Sequence, residues 1–335
     1  MAIPYVVDDI DMLICPACKS SLEILNDKII CLNCSHRYGI EDGIPLLFCP
    51  NEWGKQKEDV TDIVKSFYEK TPFPDYEDLE TVSDVCLKAE KSLFASLLNK
   101  QIPLNARVLE VGCGTGQLCN FLGIADRAVY GTDICINSLK LAQNFKNKNN
   151  IERVKFYQMN LFRPIFKEQS FSFVICNGAL HHTSDPFLGF QTIARLVKKG
   201  GYILIGLYNK YARIPIDILR LFFRMSRFRL TFLDPRLKEN KLGSRKKEAW
   251  VADQYKNPHE SKHAIKEILK WFDQTDFDFI NSIPKLKFFS DFSENELLFE
   301  VNPKGNCLDH FLLQFSSIFN VTPDNGLFLF IGRRK

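Results

Sequence analysis

Residues 107–116, Arg-Val-Leu-Glu-Val-Gly-Cys-Gly-Thr-Gly, restrict this chain more than any other stretch. Residues 107–111 form a short apolar run with the length and β-branching of a buried parallel strand. The run breaks into Gly112, Gly114 and Gly116, and residues 117–122 then read as a short helix stopped by Gly123. Strand, glycine turn and helix make the phosphate- or nucleotide-binding corner of an α/β fold, where only glycine lets ligand and backbone touch. Two carboxylates strengthen the reading. Glu110 precedes the glycines, and Asp133 ends a second strand (128–132) about twenty residues on, where a ribose-binding carboxylate belongs. The spacing Gly-x-Gly-x-Gly departs from the Gly-x-Gly-x-x-Gly of dinucleotide enzymes.

Further α/β units follow. A helix over 138–145, strands over 154–158 and 171–176, a helix over 185–197, the turn Gly200-Gly201 and a strand over 202–207 predict a doubly wound parallel sheet. Strands over 278–282 and 326–332 would bring it to seven, mostly parallel. A helix over 85–99 leads into the first strand.

Two cysteine pairs precede the sheet. Cys15-Pro-Ala-Cys18 and Cys31-Leu-Asn-Cys34 are separated by twelve residues, the spacing of a zinc ribbon, with a hairpin over 21–30 between them. Four thiolates would fill a tetrahedral shell and leave no position for water, so the zinc is expected to be structural. The chain of 335 residues has eleven cysteines, an odd number scattered through apolar segments. That usage argues against a disulfide framework and for a reducing compartment. The first eleven residues lack the basic and apolar regions of a signal peptide, and no apolar run reaches membrane-spanning length, so a cytoplasmic protein is expected. A net charge of +4 is too mild to imply nucleic acid by itself.

Glu110-Val-Gly-Cys-Gly-Thr-Gly116 closely resembles the first motif of class I S-adenosylmethionine methyltransferases. The resemblance implies a Rossmann-like methyltransferase fold, with the cofactor held by Glu110, Gly112, Gly114, Gly116, Asp133, Asn160 and Asn177. Asn160 stands where relatives commonly carry an acidic residue for the adenine amine, and its amide oxygen can accept the same bond. Asn177-Gly-Ala-Leu-His181-His182-Thr183 resembles the fourth motif of methyltransferases of quinone biosynthesis and of tRNA wobble uridines. Tyr38-Gly-Ile-Glu-Asp-Gly-Ile-Pro-Leu-Leu47 resembles the end of the small zinc-ribbon subunit that activates certain tRNA and protein methyltransferases, here fused in one chain. The expected organisation is a ribbon over 1–50, a linker and cap over 51–100, and a catalytic domain over 101–335 with insertions at 208–260 and 284–325.

Chemistry is assigned by position. His181 and His182 close a sheet strand at its carboxyl end, where α/β ligands bind, and are the candidate bases for an oxygen or carbon nucleophile. Packing against the turn after them is the competing account. Tyr208, Tyr211, Arg213, Tyr255 and His263 are candidate acceptor contacts, and Arg213 and Arg220 would suit a phosphate or carboxylate. The segment Phe67-Tyr-Glu-Lys-Thr-Pro-Phe-Pro-Asp-Tyr76 either crosses the cofactor mouth or packs as a plain linker. Residues 211–228 interleave apolar residues with arginines, and Arg229, Arg236, Lys238, Lys241, Arg245, Lys246 and Lys247 extend the charge. That pattern suits phosphate, an anionic membrane surface touched peripherally, or a lid with solvated arginines. His259-Glu-Ser-Lys-His263 matches the metalloprotease pattern, but Ser261 reads as the cap of a helix over 262–272, which leaves His259 outside it. The leading expectation is methyl transfer to a small or lipid-like acceptor. RNA held by the ribbon and the stretch 211–247 is the alternative, and a non-catalytic scaffold of the same fold is the third.

Overall fold

The computed structural model describes residues 8–319 and 326–335, apart from residues 26, 54–57, 75, 78, 235, 236 and 238–242. The basic residues Arg236, Lys238 and Lys241, and Asp75 of the aromatic segment, lie outside the described residues.

The ribbon comes first. Strands β1 (Leu22–Leu25), β2 (Lys28–Cys31) and β3 (Arg37–Tyr38) form an antiparallel sheet, and β4 (Ile40–Glu41) pairs with β5 (Ile44–Pro45). Helix α1 (Thr61–Lys70) follows. A single helix was expected over 85–99, but two are present, α2 (Val82–Glu90) and α3 (Leu93–Gln101). The break has a local cause: Ser92 leaves the helical region and its side chain accepts from Ala95 N, starting a new helix.

The central sheet contains β6 (Arg107–Val111), β7 (Ala128–Asp133), β8 (Val154–Gln158), β9 (Phe171–Asn177), β10 (Val197–Tyr208), β11 (Phe277–Ile283) and β12 (Leu327–Arg334). Their order is β11-β12-β10-β9-β6-β7-β8. Strands β8, β7, β6, β9 and β10 run parallel, and β12 inserts antiparallel between β10 and β11. The glycines expected to form a turn at 200–201 instead lie inside β10, where a register shift falls between Val197 and Tyr202.

Alternate residues of each strand feed two cores. Leu109, Val111, Val174, Ile203 and Ile205 face one side, and Val108, Val129, Ile175 and Leu204 face the other. Helices α4 (Gln117–Ile124) and α5 (Ile136–Lys148), with α2 and α3, cover the second face. Helix α4 runs through Gly123 rather than stopping there, because that glycine lies against Val154 and Ile151 and a Cβ would come within 2.1 Å of Val154. Helices α6 (Pro186–Ala194) and α9 (Ile265–Asp273) cover part of the first face, and the ribbon packs into the same core. Leu13, Tyr38 and Leu47 share it with Tyr130, Tyr157 and Phe166. Asp9 makes the joint polar as well, accepting from Tyr130 Oη at 3.0 Å, Tyr157 Oη at 3.1 Å and Lys155 Nζ at 2.6 Å. Leu46 adds a parallel bridge beside Gln158 at the end of β8.

Three more helices occur among the described residues: α7 (Ile214–Met225), followed after the 3-10 turn at Thr231–Leu233 by α8 (Ser244–Val251), and finally α10 (Cys307–Phe319). The helix expected at 262 begins at Ile265 instead, because Ser261 is engaged elsewhere: its Oγ donates to His181 O at 3.1 Å. Among the described residues, no helix is long and apolar enough to cross a membrane.

Candidate active site

A cavity of about 450 Å3 opens at the carboxyl ends of the parallel strands. It sits at the switch point between β6 and β9, where the winding direction of the sheet reverses. Glu110, Gly112, Gly114, Asp133, Asn160 and Asn177 all line it.

The glycine turn builds the floor. Gly112 has φ of +70° and Gly114 of +53°, which side chains on other residues rarely adopt. Space forbids a side chain there too. A Cβ on Gly112 would lie 2.3 Å from Ala179 Cβ, and one on Gly114 would lie 2.5 Å from Phe73 O. Gly116 belongs to the same turn but does not line the cavity; it lets α5 and Phe156 close behind the loop. Asp133 holds the loop by accepting from Gly114 N at 2.9 Å through Oδ2 and from Cys135 N at 2.8 Å through Oδ1. Burial pushes its carboxyl up to about 6 despite those bonds, and pushes Glu110, which accepts from the Cys119 thiol, up to about 7.

Asn160 lines the cavity but its amide is engaged. Nδ2 donates to Cys49 O and to Asn51 Oδ1, both at 2.9 Å, and Oδ1 accepts from Phe162 N at 3.1 Å. It thereby ties the exit of the ribbon to the cavity wall, and only a remaining lone pair on Oδ1 is left for the adenine role expected for it. Asn177 differs: its Oδ1 is buried with no hydrogen-bond partner at the cavity wall.

The aromatic segment crosses the mouth rather than packing as a linker. Thr61, Val64, Tyr68, Phe73 and Pro74 line the cavity, and Thr115 Oγ1 donates to Pro74 O. Glu69 fastens the strap, its carboxylate accepting from Ile136 N at 2.9 Å and Asn137 N at 3.1 Å at the start of α5.

The two histidines separate. His182 lines the cavity, and its Nδ1 lies 2.8 Å from His259 O. A carbonyl only accepts, so Nδ1 carries the hydrogen and Nε2 of the neutral ring is the acceptor left at the cavity. Burial holds His182 below the usual histidine range. His181 does not line the cavity. Its ring lies 4.0 Å from the Tyr208 ring, both nitrogens are buried without partners, and burial holds it well below the usual range. Of the two histidines expected as candidate bases, His182 is the one that lines the cavity.

Several expected acceptor contacts are corrected. Arg213 is fully buried and pairs with Glu260, Nη2 to Oε2 at 2.6 Å and Nε to Oε1 at 3.1 Å. Arg220 donates to the same Oε2 at 2.7 Å. Burial raises Glu260, but Arg213 beside it brings the carboxyl below its ordinary value, so these guanidiniums already have their anion. Tyr255 is buried, donating to Asp234 at 2.7 Å, and His263 sits between Ser261 and Glu267. Tyr211 lies partly exposed, away from the cavity. Only Tyr208 of that set lines it. His259 and His263 both lie outside any helix, and His259 Nε2 bonds Thr183 O at 3.1 Å, which removes the metalloprotease arrangement.

The residues that take their place come from the wide helical turn Ala252–Lys256 and from α1. Asp253 accepts from Tyr68 Oη at 2.9 Å and from Gln254 Nε2 at 2.7 Å, and Gln254 Nε2 also reaches Tyr208 Oη at 3.2 Å. Asn257 Nδ2 donates to Tyr68 Oη at 2.8 Å. Asp253, Gln254, Tyr68 and Tyr208 thus form one polar corner of a cavity whose other walls include Leu161, Phe162 and Leu327. Nothing in the local sequence marks Asp253 and Gln254, which meet Tyr68 and Tyr208 only through tertiary packing.

The four ribbon cysteines also converge. The sulfurs of Cys15, Cys18, Cys31 and Cys34 lie within 4.8 Å of one another, with Cys15–Cys34 at 3.6 Å and Cys18–Cys31 at 3.4 Å. Four thiolates on one tetrahedral zinc are close to this spacing. Hydrogen bonds from Ser20 hold the Cys18 thiol below its ordinary value.

Residues 109–205 match the family described as a methyltransferase domain, and residues 10–43 match the family of Trm112p-like proteins. A ubiquinone biosynthesis O-methyltransferase of Paracidovorax citrulli is 33% identical over 109 residues, covering 32% of this chain and 45% of that protein. One of Nitrosomonas europaea is 30% identical over 139 residues, covering 38% and 57%. The chain spans about half the length of these relatives. Among solved structures, PKMT2 from Rickettsia typhi aligns with a TM-score of 0.50 and 14% identity, over 73% of this chain and 52% of that one, which shows a shared fold.

Proposed function

We propose that this chain, with a methyltransferase domain at its centre and a Trm112p-like ribbon before it, is an S-adenosylmethionine-dependent methyltransferase acting on an oxygen or activated carbon of a small or lipid-like acceptor. The observation that carries the reading is His182, whose tautomer is set by the His259 carbonyl so that an unprotonated Nε2 meets a cavity between the glycine loop and apolar walls.

The cofactor site fits its ligand. The floor at Gly112 and Gly114 admits no side chain, Asp133 offers carboxylate oxygens toward ribose hydroxyls, and the orphaned Asn177 Oδ1 awaits a donor. Bound there, S-adenosylmethionine supplies a methyl group on a sulfonium, already a strong leaving group. The protein's work is alignment and exclusion of water: the strap 61–74 closes one side, and Phe162 and Leu327 close others. The Tyr68–Asp253–Gln254–Tyr208 corner orients a polar group of the acceptor, and His182 Nε2 takes up the proton that the nucleophile loses. Zinc is assigned to Cys15, Cys18, Cys31 and Cys34 with a structural role, four thiolates leaving no position for substrate. The RNA reading loses Arg213, which is buried on Glu260, and is weakened at Arg220, which shares the same carboxylate.

The test is transfer of labelled methyl from S-adenosylmethionine into extracted metabolites, lipids and RNA, with calorimetry of cofactor binding alongside. Label in the lipid or small-molecule fraction supports the proposal, and label only in RNA moves the acceptor. Binding without transfer to any fraction, or no binding, leaves the scaffold.

A further inference from the structure

Helix α10 is inside out. Its buried residues are polar: His310, Gln314 and Ser317 face inward, and Gln314 Oε1 accepts from Asn209 Nδ2 at 3.2 Å and Ile265 N at 3.1 Å. Its outward stripe is apolar. Leu308, Phe311, Phe315 and Phe319 recur at helical spacing with between 51% and 71% of their surface exposed, and their neighbouring rings lie 5.4–5.9 Å apart. Helix α7 packs beside α10 and carries a similar stripe. Ile218, Leu221, Phe222 and Met225 are exposed, Met225 at 77%, although the opposite face of α7 is already satisfied by Ile216 and Phe223 against Tyr255. Eight large apolar side chains left in water on two adjoining helices mark a surface built for a partner.

Charge identifies the partner. Arg224, Arg227 and Arg229 at the end of α7 are exposed and have no ion pair among the described residues. The carboxylates of the two helices are turned to other work: Asp217 binds Lys262, and Asp309 caps the start of α10 through Asn306 N. A second copy on a two-fold axis would set arginines against arginines. We propose that this face docks on a lipid bilayer bearing anionic headgroups, with the apolar stripes of α7 and α10 in the interface and Arg224, Arg227 and Arg229 on phosphates. In chain order α7 follows Tyr208 and α10 precedes Leu327, and both of those residues line the cavity, so the docking face belongs to the segments that flank the site.

Flotation of the full chain with vesicles tests this, without cofactor or acceptor, so the outcome does not depend on methyl transfer. Vesicles of phosphatidylcholine with phosphatidylglycerol should carry the protein, and pure phosphatidylcholine should carry much less. The double variant Phe311→Glu/Phe315→Glu should bind at least about tenfold less, and each of Arg224→Gln, Arg227→Gln and Arg229→Gln about fivefold less at low salt. All five side chains point outward, and an unchanged thermal melt verifies that the variants fold. The proposal is overturned if the wild-type chain ignores anionic vesicles at low salt. It is equally overturned if light scattering shows a dimer that Phe315→Glu dissociates while vesicle binding is unchanged.

Discussion

Asp133 and Glu110 carry the most chemistry per atom. Both are buried with raised carboxyl groups, about 6 and about 7 against ordinary values near 4. A raised value in the folded state means that protons stabilise the fold, a contribution complete below the ordinary carboxylate range and lost as pH rises through about 7. A ligand that donates hydrogen bonds to these oxygens needs the ionised forms, so cofactor affinity should rise from pH 6 to pH 8. Equal affinities by calorimetry at the two values would show that neither carboxyl is protonated in the free site. Asp133→Ala should weaken cofactor binding by roughly 1–3 kcal/mol, the scale of a charge-assisted hydrogen bond. The histidine pair makes a separate prediction. His182→Ala should cut turnover by roughly 100-fold with cofactor affinity unchanged. His181→Phe should keep turnover within about tenfold and hold or raise the melting temperature, because it removes two buried nitrogens that have no partners. Loss of turnover in that variant, with His182 intact, would return a catalytic role to His181.

At the scale of elements, the glycine turn is a joint between three pieces. A Cβ on Gly116 would stand 2.7 Å from both Ala142 of α5 and Phe156 of β8, at a φ of +69°. Gly116→Ala should cost roughly 1–3 kcal/mol in denaturant unfolding, from backbone strain and the displaced ring together. An unchanged midpoint would mean that α5 shifts freely, contrary to its packing. The strap α1 is likewise fixed at its end by Glu69 on the start of α5 and at its start by Ser184, which accepts from Val60 N at 2.9 Å.

For the molecule as a whole, ribbon and sheet share one core, so they should melt together. Removal of metal by a chelator is expected to lower the melting temperature of the whole chain in a single transition, not to release the ribbon alone. Two resolved transitions, with the second at the untreated temperature, would refute that coupling. Asp9→Ala tests the same joint without touching the cysteines. It leaves Tyr130, Tyr157 and Lys155 without their buried acceptor and should cost roughly 1–3 kcal/mol by thermal or denaturant melts.

Local patterns in the chain were enough for the glycine corner, the parallel strands, the carboxylate at Asp133 and the paired cysteine knuckles. Each depends on residues close together along the chain, where backbone conformation and ligand spacing are decided locally. The different surroundings of His181 and His182 depended on which ring meets the His259 carbonyl, 77 residues away from His182. The same holds for Arg213, whose charge reads as free until Glu260 is folded against it 47 residues on. Asp253 and Gln254 reach the cavity only through tertiary packing, and no periodicity announces them. The outward phenylalanines of α10 are helical in spacing, but whether such a stripe faces core or solvent is set by its neighbours, here Asn209 and the start of α9, which take its polar side instead.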